Sequence, residues 1–165
     1  MKSIIFDLDL TLVDTSSLEE LRSKREWSNV YSLIPTTSLY EGLNQVFDII
    51  RKHNIQAVIV STSPRPYIEK LVAYHDIPVQ HIIGYHDAKP IKPHPASFLK
   101  AIELLDVPTR DIISFGDRAI DIQAANAANV ESVACFWGTK EKRELLNSKY
   151  SHAIIHPSEI ITLIR

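Results

Sequence analysis

The chain is poor in the residues and runs that mark several large classes of protein. Its 165 residues hold a single cysteine, Cys135, so no internal disulfide forms and the sequence suits a reducing cytoplasm. The same scarcity removes cysteine-paired zinc sites, and His75, His81, His86 and His94 follow no familiar zinc-ligand spacing of their own. Charge of one sign is not in excess. The formal net charge is -2, from 18 Lys and Arg against 20 Asp and Glu, and gives nucleic-acid binding no support. No apolar run approaches the roughly 20 residues that cross a bilayer. The first residues carry no secretory pattern, and no repeat or low-complexity linker interrupts the chain. These absences set the expectation of one soluble, cytoplasmic domain over residues 1–165, with no membrane partner.

What is present is an alternation of short apolar runs and amphipathic stretches. Ser3 to Phe6, Gln56 to Ser61, His81 to Tyr85, Asp111 to Gly116, Glu131 to Phe136 and His152 to His156 read as strands. Helical periodicity fills the intervals: Glu41 to His53, Pro64 to Tyr74, Pro95 to Leu105, Arg118 to Ala128, Lys140 to Asn147 and Ser158 to Ile164. Ser63 is placed to cap the helix opened by Pro64. Ser16-Ser17-Leu18-Glu19 has capping-box spacing and predicts one further helix, from there to about Val30. The rhythm implies an α/β fold, a doubly wound parallel sheet with helices on both faces. In such sheets ligands collect at the carboxyl ends of the strands, beside a switch in strand order.

Four of those strand ends carry chemistry. The first ends in Asp7 and Asp9, which leave the same side of an extended chain and repel each other, so a divalent cation is the expected compensation. Ser61-Thr62-Ser63 puts hydroxyls just before a helix N-terminus, where anions are favoured. Lys92 lies in the stiff run Lys89-Pro90-Ile91-Lys92-Pro93-His94-Pro95. Gly116-Asp117-Arg118-Ala119-Ile120-Asp121 adds two carboxylates at a strand-to-helix turn. Carboxylates for a cation, hydroxyls for phosphate oxygens and an ammonium for their charge are the parts phosphoryl transfer needs.

Taken in order, DLDLT at Asp7 to Thr11, VSTSPR at Val60 to Arg65, KPHP at Lys92 to Pro95 and GDRAID at Gly116 to Asp121 resemble the haloacid dehalogenase superfamily. The closest likeness is to its phosphoglycolate phosphatase-like branch, with Asn129 standing at a helix end where glycine is frequent. The resemblance implies a Mg2+-dependent phosphatase that hydrolyses a phosphomonoester through an aspartyl-phosphate. It assigns Asp7 as nucleophile, Asp9 as general acid and base, and Ser61, Thr62 and Lys92 as phosphate-binding groups, with Lys92 also serving catalysis. Asp7, Asp9 through its backbone carbonyl, and Asp117 become the Mg2+ ligands, with Thr11 and Asp121 behind them. Asp9 favours phosphate over dehalogenation chemistry, because the dehalogenases lack it. Leu10 replaces a frequent glycine, so the turn there is expected to avoid a left-handed conformation.

The alternatives are a phosphoryl-binding regulatory module and a phosphotransferase or mutase retaining the same site. A response-regulator receiver fits poorly, because the paired acids stand on the first strand. Only residues 15–41 are available for the helical cap that the branch inserts after its first motif. A small-molecule phosphate ester is the expected substrate. An open site for a larger phosphorylated substrate, or a homodimer that finishes the enclosure, are the two consequences of so short a lid. Arg22, Lys24 and Arg25 read as a solvated helix face. Trp27, Tyr31 and Tyr40 suit either stacking on a substrate or packing of the lid. Arg65 and Arg118 divide evenly between substrate and surface, and Cys135 reads as a buried core residue.

Overall fold

The computed structural model describes residues 1–165. Strands β1 (Ser3–Phe6), β2 (Val13–Asp14), β3 (Ser38–Leu39), β4 (Ala57–Val60), β5 (His81–Ile83), β6 (Ile112–Gly116), β7 (Glu131–Cys135) and β8 (His152–Ile154) form two sheets. The main sheet has six parallel strands in the order β5-β4-β1-β6-β7-β8, and β2 pairs with β3 in a small antiparallel ribbon. Helices α1 (Glu19–Ser23), α2 (Trp27–Ser32), α3 (Leu43–Lys52), α4 (Arg65–His75), α5 (Ala96–Leu105), α6 (Ala119–Ala127), α7 (Lys142–Leu146) and α8 (Ile160–Leu163) connect them. No helix is long and apolar enough to cross a membrane.

The central strands are apolar throughout because both faces are covered. Along β4 every residue of Ala57-Val58-Ile59-Val60 is buried. Alternation then sorts them: Ile4, Phe6, Ala57 and Ile59 join the core under α3 and α4, whereas Ile5, Val58 and Val60 join the one under α5 and α6. In register, Ile5 lies between Val58 and Ser114, and Phe6 between Ile59 and Phe115. Strand order reverses at β1, since the chain leaves it for β4 on one side and reaches β6 on the other. The carboxyl end of β1, with Asp7, therefore opens into the crevice where neighbouring loops diverge.

The segment expected to be one lid helix is broken. A 3-10 turn over Ser16–Leu18 leads into α1, and α1 stops at Ser23. Arg25 takes φ 56°, with Arg25 N–H donating to Arg22 C=O and Glu26 N–H donating to Leu21 C=O. That is a Schellman ending with arginine at the position glycine usually holds. The exposed run Ser23 to Glu26 offers little apolar surface to keep a helix against the body. Leu18, Val30 and Ile34 nonetheless reach the same core as Phe47 and Leu71, so the lid is packed onto the body. Trp27 is half-buried, its ring centroid 6.0 Å from that of Tyr67.

Three local expectations are corrected. Leu10 adopts φ 63°, the left-handed conformation the sequence reading excluded. The turn demands it: the N–H groups of Thr11, Leu12 and Val13 all converge on Leu8 C=O, while Leu10 N–H reaches Val13 C=O at 2.8 Å. Ser16 does not cap its helix, because its hydroxyl donates to Asp14 Oδ1 at 2.6 Å. Ser63 does not cap α4 either, since Pro64 holds that position and Ser63 is turned toward Asp9. Asn129, in contrast, ends its helix at φ 56° as read.

Candidate active site

The segments that the sequence marked as distant meet at the carboxyl edge of the sheet. Asp7 follows β1 directly, and its N–H donates to Phe115 C=O at 2.9 Å. Asp117 follows β6, and Asp121 lies in the first turn of α6, where its Oδ2 accepts from Arg118 N–H at 3.0 Å. Gly116 makes this turn feasible. A Cβ there would stand 2.4 Å from Asp121 Cβ and 2.6 Å from its Oδ2. One oxygen from each of Asp7, Asp117 and Asp121 lies within 4.8 Å of the others. Thr11 Oγ1 donates to Asp117 Oδ1 at 3.0 Å and lies 3.3 Å from Asp7 Oδ2.

Lys92 is the counter-charge. Its side chain is only 3% exposed, and Nζ donates to Asp121 Oδ1 at 2.6 Å, Asp7 Oδ1 at 2.9 Å and Val60 C=O at 3.1 Å. Three carboxylates against one ammonium leave a formal charge of -2 in a nearly dry space. Burial, followed by the charges of Asp7 and Asp121, pushes the Asp117 carboxyl up to about 9. Burial and the Asp121 charge likewise raise Asp7 against the pull of Lys92. Burial alone would lower Lys92, but Asp121 and Asp7 hold it above the ordinary lysine value. A cluster so strained toward protonation fits a bound divalent cation, whose charge removes the excess and whose hardness suits oxygen ligands.

Asp9 is set apart from this cluster. Its side chain turns toward the lid and accepts from Tyr67 Oη at 2.6 Å, Thr15 Oγ1 at 2.8 Å and Ser63 Oγ at 3.0 Å. Arg22 Nη1 pairs with it at 3.0 Å, and Arg22 Nη2 also donates to Ser63 Oγ at 2.8 Å. The guanidinium rests 4.8 Å above the Tyr67 ring, while its Nε is buried without a partner. Arg22 is therefore not part of a solvated face, contrary to the sequence reading. The signal was available: Arg22 follows Leu18 and Leu21 at i+4 and i+1, on the inward stripe. Tyr67 gave no comparable sign, since only the fold brings a hydroxyl 58 positions away onto Asp9.

Around these groups lies a cavity of about 260 Å3, lined by Asp7, Asp9, Ser61, Thr62, Asp117 and Arg118 among others. Ser61 Oγ accepts from Ser63 N–H at 3.1 Å, which fixes the hydroxyl at the mouth of α4. The loop after β7 supplies a wall that the sequence did not mark. Trp137 Nε1 donates to Thr11 C=O at 2.9 Å, Thr139 Oγ1 donates to Asp117 C=O at 2.6 Å, and Glu141 pairs with Arg118. Tyr40 packs on Trp137, and Tyr31 on Trp27, so these aromatics serve packing. Arg65 turns away to Asp87 and Glu69.

Comparison with known proteins bears on the lineage and the fold. Residues 20–135 match the family model of the haloacid dehalogenase-like hydrolases. The pyrophosphatase PpaX of Bacillus mycoides is 25% identical over 158 residues, covering 92% of this chain and 72% of its own length. The crystal structure of a predicted phosphoglycolate phosphatase from Haemophilus somnus 129PT superposes with a TM-score of 0.86 at 18% identity. That match covers 100% of this chain and 98% of the other. CbbY of Rhodobacter sphaeroides, solved in complex with phosphate, gives 0.82 at 16% identity, covering 97% and 96%. These two show the shared fold, and the family-model match shows the lineage: the chain belongs to the haloacid dehalogenase-like hydrolases.

Proposed function

We propose that the protein is a Mg2+-dependent phosphatase that cleaves a phosphomonoester through a phosphoryl group held on Asp7, under a lid formed by residues 15–41. The observation that carries this reading is the division of labour between the two acids. Asp7 lines the cavity beside Asp117 and is backed by Lys92 and Asp121, whereas Asp9 is held off that cluster by Tyr67, Thr15, Ser63 and Arg22. Nucleophile and proton carrier need such separate surroundings.

Asp7, Asp117 and the backbone carbonyl of Asp9 would hold the Mg2+, with Asp121 supporting Lys92. When bound, the ion supplies charge neutralisation to the carboxylates and to the incoming phosphate. Ser61 and Thr62, at the N-terminal mouth of α4, receive phosphoryl oxygens, and Lys92 offsets their charge. An oxygen of Asp7 attacks phosphorus, and the bond to the leaving oxygen breaks as Asp9 gives that oxygen its proton. Asp9, now a carboxylate, takes a proton from water. The resulting hydroxide oxygen bonds to phosphorus, the bond to Asp7 breaks, and inorganic phosphate departs with Asp7 restored.

A phosphate-release screen over metabolite esters, run with and without Mg2+, tests the proposal. Pyrophosphate belongs in the panel because a relative carries that activity in its name. Turnover of at least one ester that needs Mg2+ and vanishes in Asp7→Asn and Asp9→Asn is the expected result. Wild-type rates in either folded variant overturn the assignment.

A further inference from the structure

A second cavity, of about 750 Å3, adjoins the first and shares Glu19, Arg22 and Thr62 with it. The two differ in sign. The smaller holds Asp7, Asp9 and Asp117, whereas the larger is faced by Arg25 and Lys89 in addition to Arg22. Its one carboxylate, Glu19, is matched by Lys140. Neither Arg25 nor Lys89 has a carboxylate partner anywhere in the chain. Both line the groove. Lys89 Nζ rests 4.4 Å from the centroid of the Tyr85 ring, and Arg25 is the residue at which the lid backbone turns left-handed between α1 and α2. The lid contributes one cation and the loop after β5 the other, so the groove is positive on both banks.

We propose that this groove receives the leaving group, and that Arg25 and Lys89 select phosphate esters whose leaving group carries a second anion, a carboxylate or another phosphate. The inference rests on the phosphatase reading for the identity of the first cavity. Size supports it as well as sign. The smaller space suits a phosphoryl group and its oxygens, and the larger admits a leaving group of several carbons beyond it. An ester with a neutral tail forgoes both cations. Two exposed ion pairs of ordinary strength together give about tenfold in affinity, weakening as salt rises.

The test uses binding, so that it does not depend on turnover. Asp7→Asn protein with Mg2+ is titrated calorimetrically with sorbitol 6-phosphate, 6-phosphogluconate and sorbitol 1,6-bisphosphate, which share an open six-carbon chain and differ at the far end. About tenfold tighter binding of both two-anion ligands, lost in the added pair Arg25→Gln and Lys89→Gln, is the expected outcome. Preference for only one of them identifies the second anion as carboxylate or as phosphate. Equal affinity for all three, or a preference that survives the pair of substitutions, overturns the proposal. Absence of binding by all three overturns it too, while Asp7-dependent hydrolysis of p-nitrophenyl phosphate by the wild-type protein reports separately on the phosphatase reading. Both substituted residues are exposed, and a circular dichroism melt confirms that the fold is kept.

Discussion

Replacing Lys92 with methionine probes folding and chemistry together. The ammonium is 3% exposed and touches Asp121 at 2.6 Å and Asp7 at 2.9 Å. At an effective dielectric of about 20, each contact attracts by roughly 6 kcal/mol. Desolvation of the ions consumes much of that, and removing one partner from a buried pair leaves a net loss of about 3–5 kcal/mol. Methionine matches the lysine side chain as far as Cε and lacks only the ammonium, so the loss is mainly electrostatic. Urea unfolding in EDTA should show the variant destabilised by that amount. Added Mg2+ should recover more stability in Lys92→Met than in the wild type, because three carboxylates then stand without any cation of the protein's own. Turnover should fall by about 100- to 1000-fold, as for loss of a preorganised charge at developing negative oxygens. Combining Lys92→Met with Asp121→Asn should cost less than the two changes added, by about 1–3 kcal/mol, since the second removes the charge stranded by the first. A variant within 1 kcal/mol of wild type in EDTA, with turnover largely kept, would refute the argument.

Other consequences follow from the same contacts. Gly116→Ala places a methyl 2.4 Å from Asp121 Cβ; Asp121 must move off Lys92, and urea unfolding should show a loss of about 1–3 kcal/mol together with weakened Mg2+ binding. Tyr67→Phe removes a 2.6 Å hydrogen bond to Asp9 while leaving the buried ring in place; stability should drop by about 1 kcal/mol, and kcat should fall more than KM rises. His75 is lowered by burial and lies 2.8 Å from Thr37 Oγ1. A histidine depressed in the folded state stabilises fully above its ordinary value of 6.5 and loses that contribution as pH falls from there through its folded value. Thermal melts of His75→Gln against wild type should therefore converge as pH is lowered through that window, and a difference independent of pH would contradict the assignment.

The succession of strands along the chain and the four acid, hydroxyl and lysine segments were legible in the sequence because each depends on local chemistry. Apolar runs buried on both faces read as parallel strands, and short polar motifs punctuate their ends. Elements whose form depends on distant neighbours were not legible. The lid breaks at Arg25 because it packs through Leu18, Val30 and Ile34, with little to hold the charged stretch between. Leu10 turns left-handed because three amides share the carbonyl of Leu8, and Gly138 permits the close approach, since a Cβ there would meet the Leu10 carbonyl oxygen at 2.3 Å. The setting of Asp9 drew on Thr15, Arg22, Ser63 and Tyr67, four residues from two stretches of chain distant in sequence. Only Arg22 carried a hint, its place on the inward stripe of α1.

The central claim is that phosphorus bonds transiently to Asp7, and trapping that bond tests it most directly. Protein mixed with a turned-over ester and Mg2+ is quenched into borohydride, which reduces an acyl phosphate to an alcohol, and the peptide spanning β1 is sequenced by mass spectrometry. The account predicts homoserine at position 7, absent without ester or without Mg2+, and an unmodified Asp9. Steady hydrolysis with Asp7 intact throughout, or modification at Asp9 or Asp117 instead, would contradict it.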